Sequence, residues 1–323
     1  MKLSVLVPVF NLSAYVAECL ISILEQQADF EFEVIAVDDC STDDSFAILK
    51  NIAQQYPALV LLRNETNQGL AKTQKRLLQA AKGDYIAYLD GDDVALPGKL
   101  QTQAAYLDVH QDCMLCYHEA DMFDDETGAT IKLFTRDFYN FRYLRPVGDL
   151  SDLLRYGCFV NASSIMFRRH ERMAEAIDEG CKIILDYPWH ILNLSLRPGT
   201  LDFIPEVLGR YRFHVQSFGG QTRQSPERRE QSLRDLLRAC DNAAPWGAPA
   251  ELIAQGRAHH LYSAALYFLR QGDTARFAHL IEQSVVEVAT LAPGWFFDAR
   301  HQLAWQGRHD PAWVTQQIFG EKP

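Results

Sequence analysis

The sequence predicts an α/β protein: a mainly parallel, mixed sheet flanked by helices, followed by an all-helical C-terminal region. Three observations carry this. Short apolar runs at 3–9, 33–37, 59–62 and 85–89 read as strands covered on both faces, because they are apolar throughout instead of alternating. Stretches with helical spacing separate them, and strand–helix–strand alternation implies right-handed crossovers and parallel pairing. Beyond residue 217 the strand signals give way to helical ones. The expected domains are therefore 1–217 and 218–323.

The elements follow in order. Pro8 and Asn11 close the first strand, Ser13 is the expected cap of a helix over 14–26, and Val16, Leu20, Ile23 and Leu24 form its apolar stripe. The second strand runs into Asp38-Asp39, after which Ser41-Thr42-Asp43-Asp44 offers caps for a helix over 45–56. Asn67-Gln68-Gly69 is a turn, and 70–81 is a helix closed by Gly83. Pro97 suits the first turn of a helix reaching about His110. Strands are expected at 114–117 and 131–134 around the Asp124-Asp125-Glu126-Thr127-Gly128 turn, then at 161–167, 201–204 and 207–213. A helix over 170–179 ends at Gly180. The stretch 136–148, with Phe138, Tyr139, Phe141, Arg142, Tyr143 and Arg145, has the composition of a binding loop or of a packed aromatic one. A polar link, 219–226, leads to helices over 227–240, 250–271, 274–291 and about 296–306.

Composition narrows the function. At 323 residues with 48% hydrophobic content, the chain can bury a large core. A net charge of −11 argues against nucleic acid as a partner, and an anionic substrate would need local basic groups or a metal. No apolar run approaches the roughly 20 residues of a spanning helix. The N-terminal run is too short and too Val-rich for a secretory leader. A cytoplasmic protein is expected, with peripheral contact at the inner face of the membrane left open. Seven cysteines are scattered, and Cys113-Met114-Leu115-Cys116 has no second pair to complete a zinc set, so both thiols read as core residues.

The chemistry gathers at strand ends. Tyr85-Ile86-Ala87-Tyr88-Leu89 runs into Asp90-Gly91-Asp92-Asp93, three carboxylates in four positions. An isolated D-x-D would read as a solvated acidic turn. Here the first, second and fourth strands end in Asn11, Asp38-Asp39 and Asp90-Gly91-Asp92, all on the rim where open α/β sheets bind ligands. Clustered carboxylates repel one another, and a hard divalent cation, Mg²⁺ or Mn²⁺, relieves that repulsion. The first strand is followed by neither G-x-G-x-x-G nor G-x-x-x-x-G-K-[ST], which disfavours a dinucleotide-binding domain or a P-loop NTPase. Asp186 follows three apolar residues and precedes Tyr187-Pro188-Trp189; it reads equally as a general base or as the cap of the next helix.

Four ordered segments carry a resemblance. Val5-Leu6-Val7-Pro8-Val9-Phe10-Asn11, Val37-Asp38-Asp39-Cys40-Ser41-Thr42-Asp43, Asn67-Gln68-Gly69-Leu70-Ala71, and Gly83-Asp84-Tyr85 through Asp93 resemble family 2 glycosyltransferases. The resemblance covers about 1–217. It implies the GT-A (Rossmann-like) fold and transfer of a sugar, with inversion, from a nucleoside diphosphate donor to a glycan or glycolipid acceptor. It further implies that Pro8, Val9, Phe10 and Asn11 line the nucleotide pocket together with Asn67, Gly69, Lys72 and Gly91, and that Asp39 bonds the base, usually uracil. Asp90 would face the ribose or the metal's water shell, Asp92 would ligate Mn²⁺ or Mg²⁺, and His214 of Tyr211-Arg212-Phe213-His214 would join the metal or the diphosphate. Asp186 matches the catalytic carboxylate, although Leu185 stands where the family has Glu. The Gln-x-x-Arg-Trp of processive members is absent, so a single sugar is expected to be added, by analogy in surface polysaccharide or lipopolysaccharide assembly. Two other readings stay open: a non-catalytic nucleotide-sugar or glycan-binding module, and a nucleotidyltransferase, which would want a Gly-rich basic loop after the first strand.

Overall fold

The computed structural model describes residues 1–139, 143–214 and 217–320, with residues 218, 219 and 223 described in backbone only. Phe141 and Arg142 of the aromatic stretch, and Val215 and Gln216 after His214, lie outside the described residues. The chain divides into two compact units. One comprises Met1–Leu150, Cys158–Glu179 and Leu192–Ser217; the other comprises Ser151–Gly157, Gly180–Ile191 and Phe218–Pro323. Two earlier segments, Ser151–Gly157 and Gly180–Ile191, thus group with the C-terminal helices.

The elements through the last strand are β1 (Leu3–Val9), α1 (Val16–Leu24), β2 (Phe32–Asp38), α2 (Ser45–Gln55), β3 (Leu59–Arg63), α3 (Leu70–Ala80), β4 (Tyr85–Tyr88), β5 (Val94–Ala95), α4 (Lys99–Val109), β6 (Cys113–Asp124), β7 (Thr130–Leu133), β8 (Val147–Gly148), α5 (Leu150–Tyr156), β9 (Ile165–Arg168), α6 (Asp186–Leu196) and β10 (Thr200–Phe213). In the first unit the strands form one mixed sheet, ordered β3-β2-β1-β4-β9-β6-β10-β5, with β7 beside β6 and β8 beside β10. β1 to β4 are parallel, as crossovers through α1, α2 and α3 require. β9 runs antiparallel to β4 and β6, and β10 runs parallel to β6. All seven residues of β1 are buried, which explains the unbroken apolar run. Val16, Leu20 and Ile23 of α1 share a core with Val5, Val7 and Val9.

Several expectations are corrected. Ser13 does not cap α1: its amide donates to Asp43 Oδ2 at 3.0 Å, and the helix starts at Val16. Gly83 is needed for strand contact, not helix termination, because a Cβ there would stand 2.4 Å from the Ser4 amide nitrogen. The strands expected at 201–204 and 207–213 are one strand, β10. Pro205 interrupts the ladder as a bulge, and the register against β6 shifts between Ile204 and Val207. The helix expected over 170–179 is reduced to a 3-10 turn at Met173–Ala176, as tertiary contacts such as His170 Nε2 to Asn193 Oδ1, 2.6 Å, override propensity.

The second unit is helical. It holds most of α5, the start of α6, and α7 (Phe218–Gln224), α8 (Pro226–Asp241), α9 (Ala250–Arg270), α10 (Thr274–Val288), α11 (Ala299–Gln306) and α12 (Pro311–Phe319). The expected polar link over 219–226 is largely α7, whose buried Gly220 and Thr222 show that packing outweighs the poor helix propensity of two glycines. Ser225, Asp273, Asp298 and Asp310 cap α8, α10, α11 and α12 through backbone N–H groups. Leu261, Phe268, Phe277, Ile281 and Val314 centre the core. Among the described residues no helix is long and apolar enough to cross a membrane.

Candidate active site

β1 lies between β2 and β4, and the parallel registers Val9↔Asp38 and Leu6↔Tyr88 bring the three carboxyl ends to one rim. The exit turns are stapled together. The Asp39 amide donates to the Val9 carbonyl at 2.8 Å, and Asn11 Oδ1 accepts from the Thr42 amide at 2.8 Å. Asn11 and Cys40 both have positive φ, 54° and 60°, which is rare outside glycine and marks a rim held under backbone strain. Pro8 and Val9 are buried, whereas Phe10 and Asn11 face solvent.

The two acidic exits differ. Asp39 is buried, and its carboxylate accepts from Asn64 Nδ2 (2.6 Å), the Gln68 amide (2.8 Å) and the Gly69 amide (2.8 Å). It therefore shapes the turn that carries Asn67 and Gly69, where Gly69 has φ +81°. Lys72 follows, exposed on the first turn of α3. Asp38 is fully buried against Arg63, Nε to Oδ2 at 3.1 Å.

After β4, Asp90-Gly91-Asp92-Asp93 forms a turn closed by the Asp93 amide on the Asp90 carbonyl, 3.0 Å. Gly91 is required for close approach: a Cβ there would sit 2.9 Å from the Pro8 carbonyl oxygen. Asp93 points inward and is buried. It accepts from Ser163 Oγ at 2.5 Å and from the Arg212 amide at 2.8 Å. Burial, and then the Asp92 and Asp90 carboxylates, push its pKa well above the usual carboxylate range. Asp92 is partly exposed and meets His214, Oδ2 to Nε2 at 3.2 Å.

His214 reaches Asp92 because β10 delivers it, and a cage of side chains fixes that end of β10. Arg212 donates from Nε to the Asp92 carbonyl at 2.7 Å, from Nη1 to Asp125 at 2.7 Å, and from Nη2 to Glu18. Its guanidinium stacks over Tyr15 at 4.8 Å, the Tyr15 hydroxyl donates to Asp125 at 2.9 Å, and the Tyr15 and His214 rings lie 5.1 Å apart.

Among the described residues no group of three or more His, Cys, Asp or Glu side chains forms a metal cage. The donor set nevertheless fits a divalent cation shared with a ligand. Asp92 supplies a hard carboxylate oxygen, His214 an imidazole, and a cation bound with nucleotide takes one or two carboxylates and fills its other positions with phosphate oxygens and water.

Asp186 belongs to the second unit. It opens α6, is half-buried, and its Oδ1 accepts from the Tyr187 amide at 2.8 Å. The approach to it is pinned by the buried Asp235 of α8, whose Oδ2 accepts from the amides of Lys182, Ile183 and Ile184 at 3.0, 2.6 and 3.0 Å. Reasoning from the sequence did not single out Ser163, Lys99, Arg212, Tyr15 or Asp235 as functional. Only Arg212 had a signal, its place beside His214 in Tyr-Arg-x-His.

Comparison with known proteins gives this rim its class. S. aureus TarS 1–349, solved in complex with UDP-GlcNAc, superposes with a TM-score of 0.70 at 16% identity, over 99% of this chain and 93% of that one. Mannosyltransferase PcManGT from Pyrobaculum calidifontis, solved with GDP-Man and Mn²⁺, superposes with a TM-score of 0.59 at 16% identity, over 99% and 88%. The fold is that of the GT-A glycosyltransferases. The sequence pattern of glycosyl transferase family 2 matches residues 4–174, and the chain belongs to this family. An uncharacterized protein of Mycobacterium tuberculosis is 31% identical over 210 residues, 64% of this chain and 57% of the relative. An uncharacterized glycosyltransferase of Haemophilus influenzae is 35% identical over 133 residues, 41% of this chain and 52% of the relative. The chain thus spans little more than half the length of these curated relatives.

Proposed function

We propose that the protein is a non-processive, inverting glycosyltransferase. Its donor is a nucleoside diphosphate sugar, bound where β1, β2 and β4 end, and its acceptor is a hydroxyl of a glycan or glycolipid in surface polysaccharide assembly. The observation that carries the reading is the Asp92–His214 pair at 3.2 Å, set on a rim crowded with carboxylates. UDP is the favoured nucleotide, because TarS is the neighbour of higher TM-score and was solved with UDP-GlcNAc.

Asp92 and His214 would hold a Mn²⁺ or Mg²⁺ ion. When bound, such an ion neutralises the charge that develops on a departing diphosphate. Phe10 and Asn11 offer an exposed edge to the base, and Asp39 keeps one acceptor position on Oδ2 for a base N–H. Asp186 takes the proton of the acceptor hydroxyl. The freed oxygen bonds to the anomeric carbon as the bond from that carbon to the diphosphate oxygen breaks, and the bonding pair leaves with the diphosphate.

Asp186→Asn tests the assignment. Transfer should fall by roughly 100- to 10,000-fold while donor affinity, read by calorimetry, stays at the wild-type level. Full transfer activity in this variant would remove Asp186 from its role. A wild-type protein that binds nucleotide sugars yet neither hydrolyses nor transfers them would establish the binding-module reading instead.

A further inference from the structure

Beneath the Asp90–Asp93 turn lies a buried polar group that the proposed mechanism does not use. Lys99 on α4 is fully buried. Its ammonium donates to His118 Nε2 at 2.7 Å and to the Ser163 carbonyl at 2.9 Å. His118 is itself buried, and its Nδ1 lies 2.7 Å from the Glu119 carbonyl, which fixes that nitrogen as the donor and leaves Nε2 to accept. Burial first, and then the charge of Lys99, hold the His118 pKa well below its ordinary value, so the ring is neutral. Both hydrogen-bond partners of Lys99 are therefore uncharged. Burial drives its own pKa down to about 7, while nearby Cys116 and Asp93 oppose the shift. Burying the ammonium carries a desolvation cost, which its two hydrogen bonds offset in part.

Ser163 shows what that cost maintains. Its Oγ accepts from the Asp90 amide at 2.9 Å and donates to Asp93 Oδ2 at 2.5 Å, and Lys99 grips its carbonyl. One residue therefore holds the first and last positions of the turn, and a buried cation holds that residue.

We propose that Lys99 and Ser163 are positioning residues. They lock the Asp90–Asp93 turn in the conformation that presents Asp92 beside His214. The inference rests on the reading of this rim as a metal–nucleotide site.

The test is calorimetric binding of Mn²⁺ with UDP, and with GDP in parallel, to the full chain and to Lys99→Met, Ser163→Ala and Ser163→Thr. Lys99→Met and Ser163→Ala should bind the Mn²⁺–nucleotide pair about tenfold more weakly, the size expected for losing a buried hydrogen bond to a charged group. Ser163→Thr keeps the hydroxyl and should stay within about threefold of wild type. Lys99→Met leaves His118 Nε2 and the Ser163 carbonyl without a donor, so its melting temperature should fall below that of wild type; dependence of the binding loss on Mn²⁺ is the readout that a merely structural role would not give. Wild-type affinity in both Lys99→Met and Ser163→Ala overturns the proposal, as does an equal loss for nucleotide measured in EDTA. Failure of Lys99→Met to fold overturns it too, because the lysine would then be serving stability. If the wild type binds neither nucleotide with Mn²⁺, the reading of the rim fails and takes this inference with it.

Discussion

Two strands of the first unit end in acidic turns on the same rim, and the turns put their carboxylates to different uses. At the exit of β2, Asp38 is bound by Arg63 and Asp39 by one side chain and two backbone amides, so Asp38 is scaffold and Asp39 is mostly so, with one Oδ2 position left. At the exit of β4 only Asp93 is drawn inward, bound by Ser163 and the Arg212 amide, while Asp92 keeps a partly exposed carboxylate facing an imidazole. An acidic pair at a strand end is therefore not in itself a metal site. What separates the two is how much acceptor capacity the fold has already filled.

The sharpest way to break this contrast is to remove one carboxylate from each turn. Asp92→Ala should reduce Mn²⁺-dependent nucleotide binding by more than about 100-fold, since even groups behind a metal ligand typically cost 10- to 100-fold. Its stability should move by no more than about 0.5 kcal/mol, as expected of a partly exposed group among like charges. Asp39→Ala should do the reverse in emphasis. It takes the side-chain acceptor from the Gln68 amide and leaves the Gly69 amide with Asn67 Oδ1 and Asn64 Nδ2 with Thr73 Oγ1 as their remaining acceptors, for a loss of about 1–3 kcal/mol. Calorimetry and thermal melts on both variants would check the pair. If Asp92→Ala loses stability and Asp39→Ala does not, the division between scaffold and site is wrong.

Much of this was legible in the sequence because its causes are local. An apolar run without alternation means a buried strand, and β1 to β4 lie close to the expected positions. The acidic strand ends needed only the parallel topology to share a rim. The rest depends on contacts between distant residues. Ser163 is 73 residues from the Asp90 amide it holds and lies in a stretch that otherwise reads as plain strand. Lys99 opens α4, where a lysine would be read as solvated, and only tertiary packing buries it. Pro205 reads as a strand end, but the partner strand β6 continues past it, and the break becomes a bulge. α12 escaped notice although Asp310 caps it with Pro311 at its first position, because a nine-residue helix carries little periodic signal.

The smallest expected effect probes the scaffold side of the contrast at its most exposed point. The Arg63 side chain is 42% exposed and Asp38 is not exposed at all, so the pair joins a screened cation to a desolvated anion. Arg63 also lies over the Phe46 ring at 4.0 Å, and part of its contribution is apolar packing. After Arg63→Ala, Asp38 would still accept from the Ser41 amide, 3.2 Å to Oδ2, and water could reach the vacated side. Solvent screening limits the loss to about 1 kcal/mol, which corresponds to a fall in melting temperature of about 2–4 °C for a domain of this size. Binding of Mn²⁺ with UDP should change by less than about twofold, because Asp38 sits in the buried layer beneath Asp39 and the charge removed is largely screened from the β4 turn. A loss of binding approaching that of Asp92→Ala would show that the Asp38–Arg63 pair is part of the site and not its support.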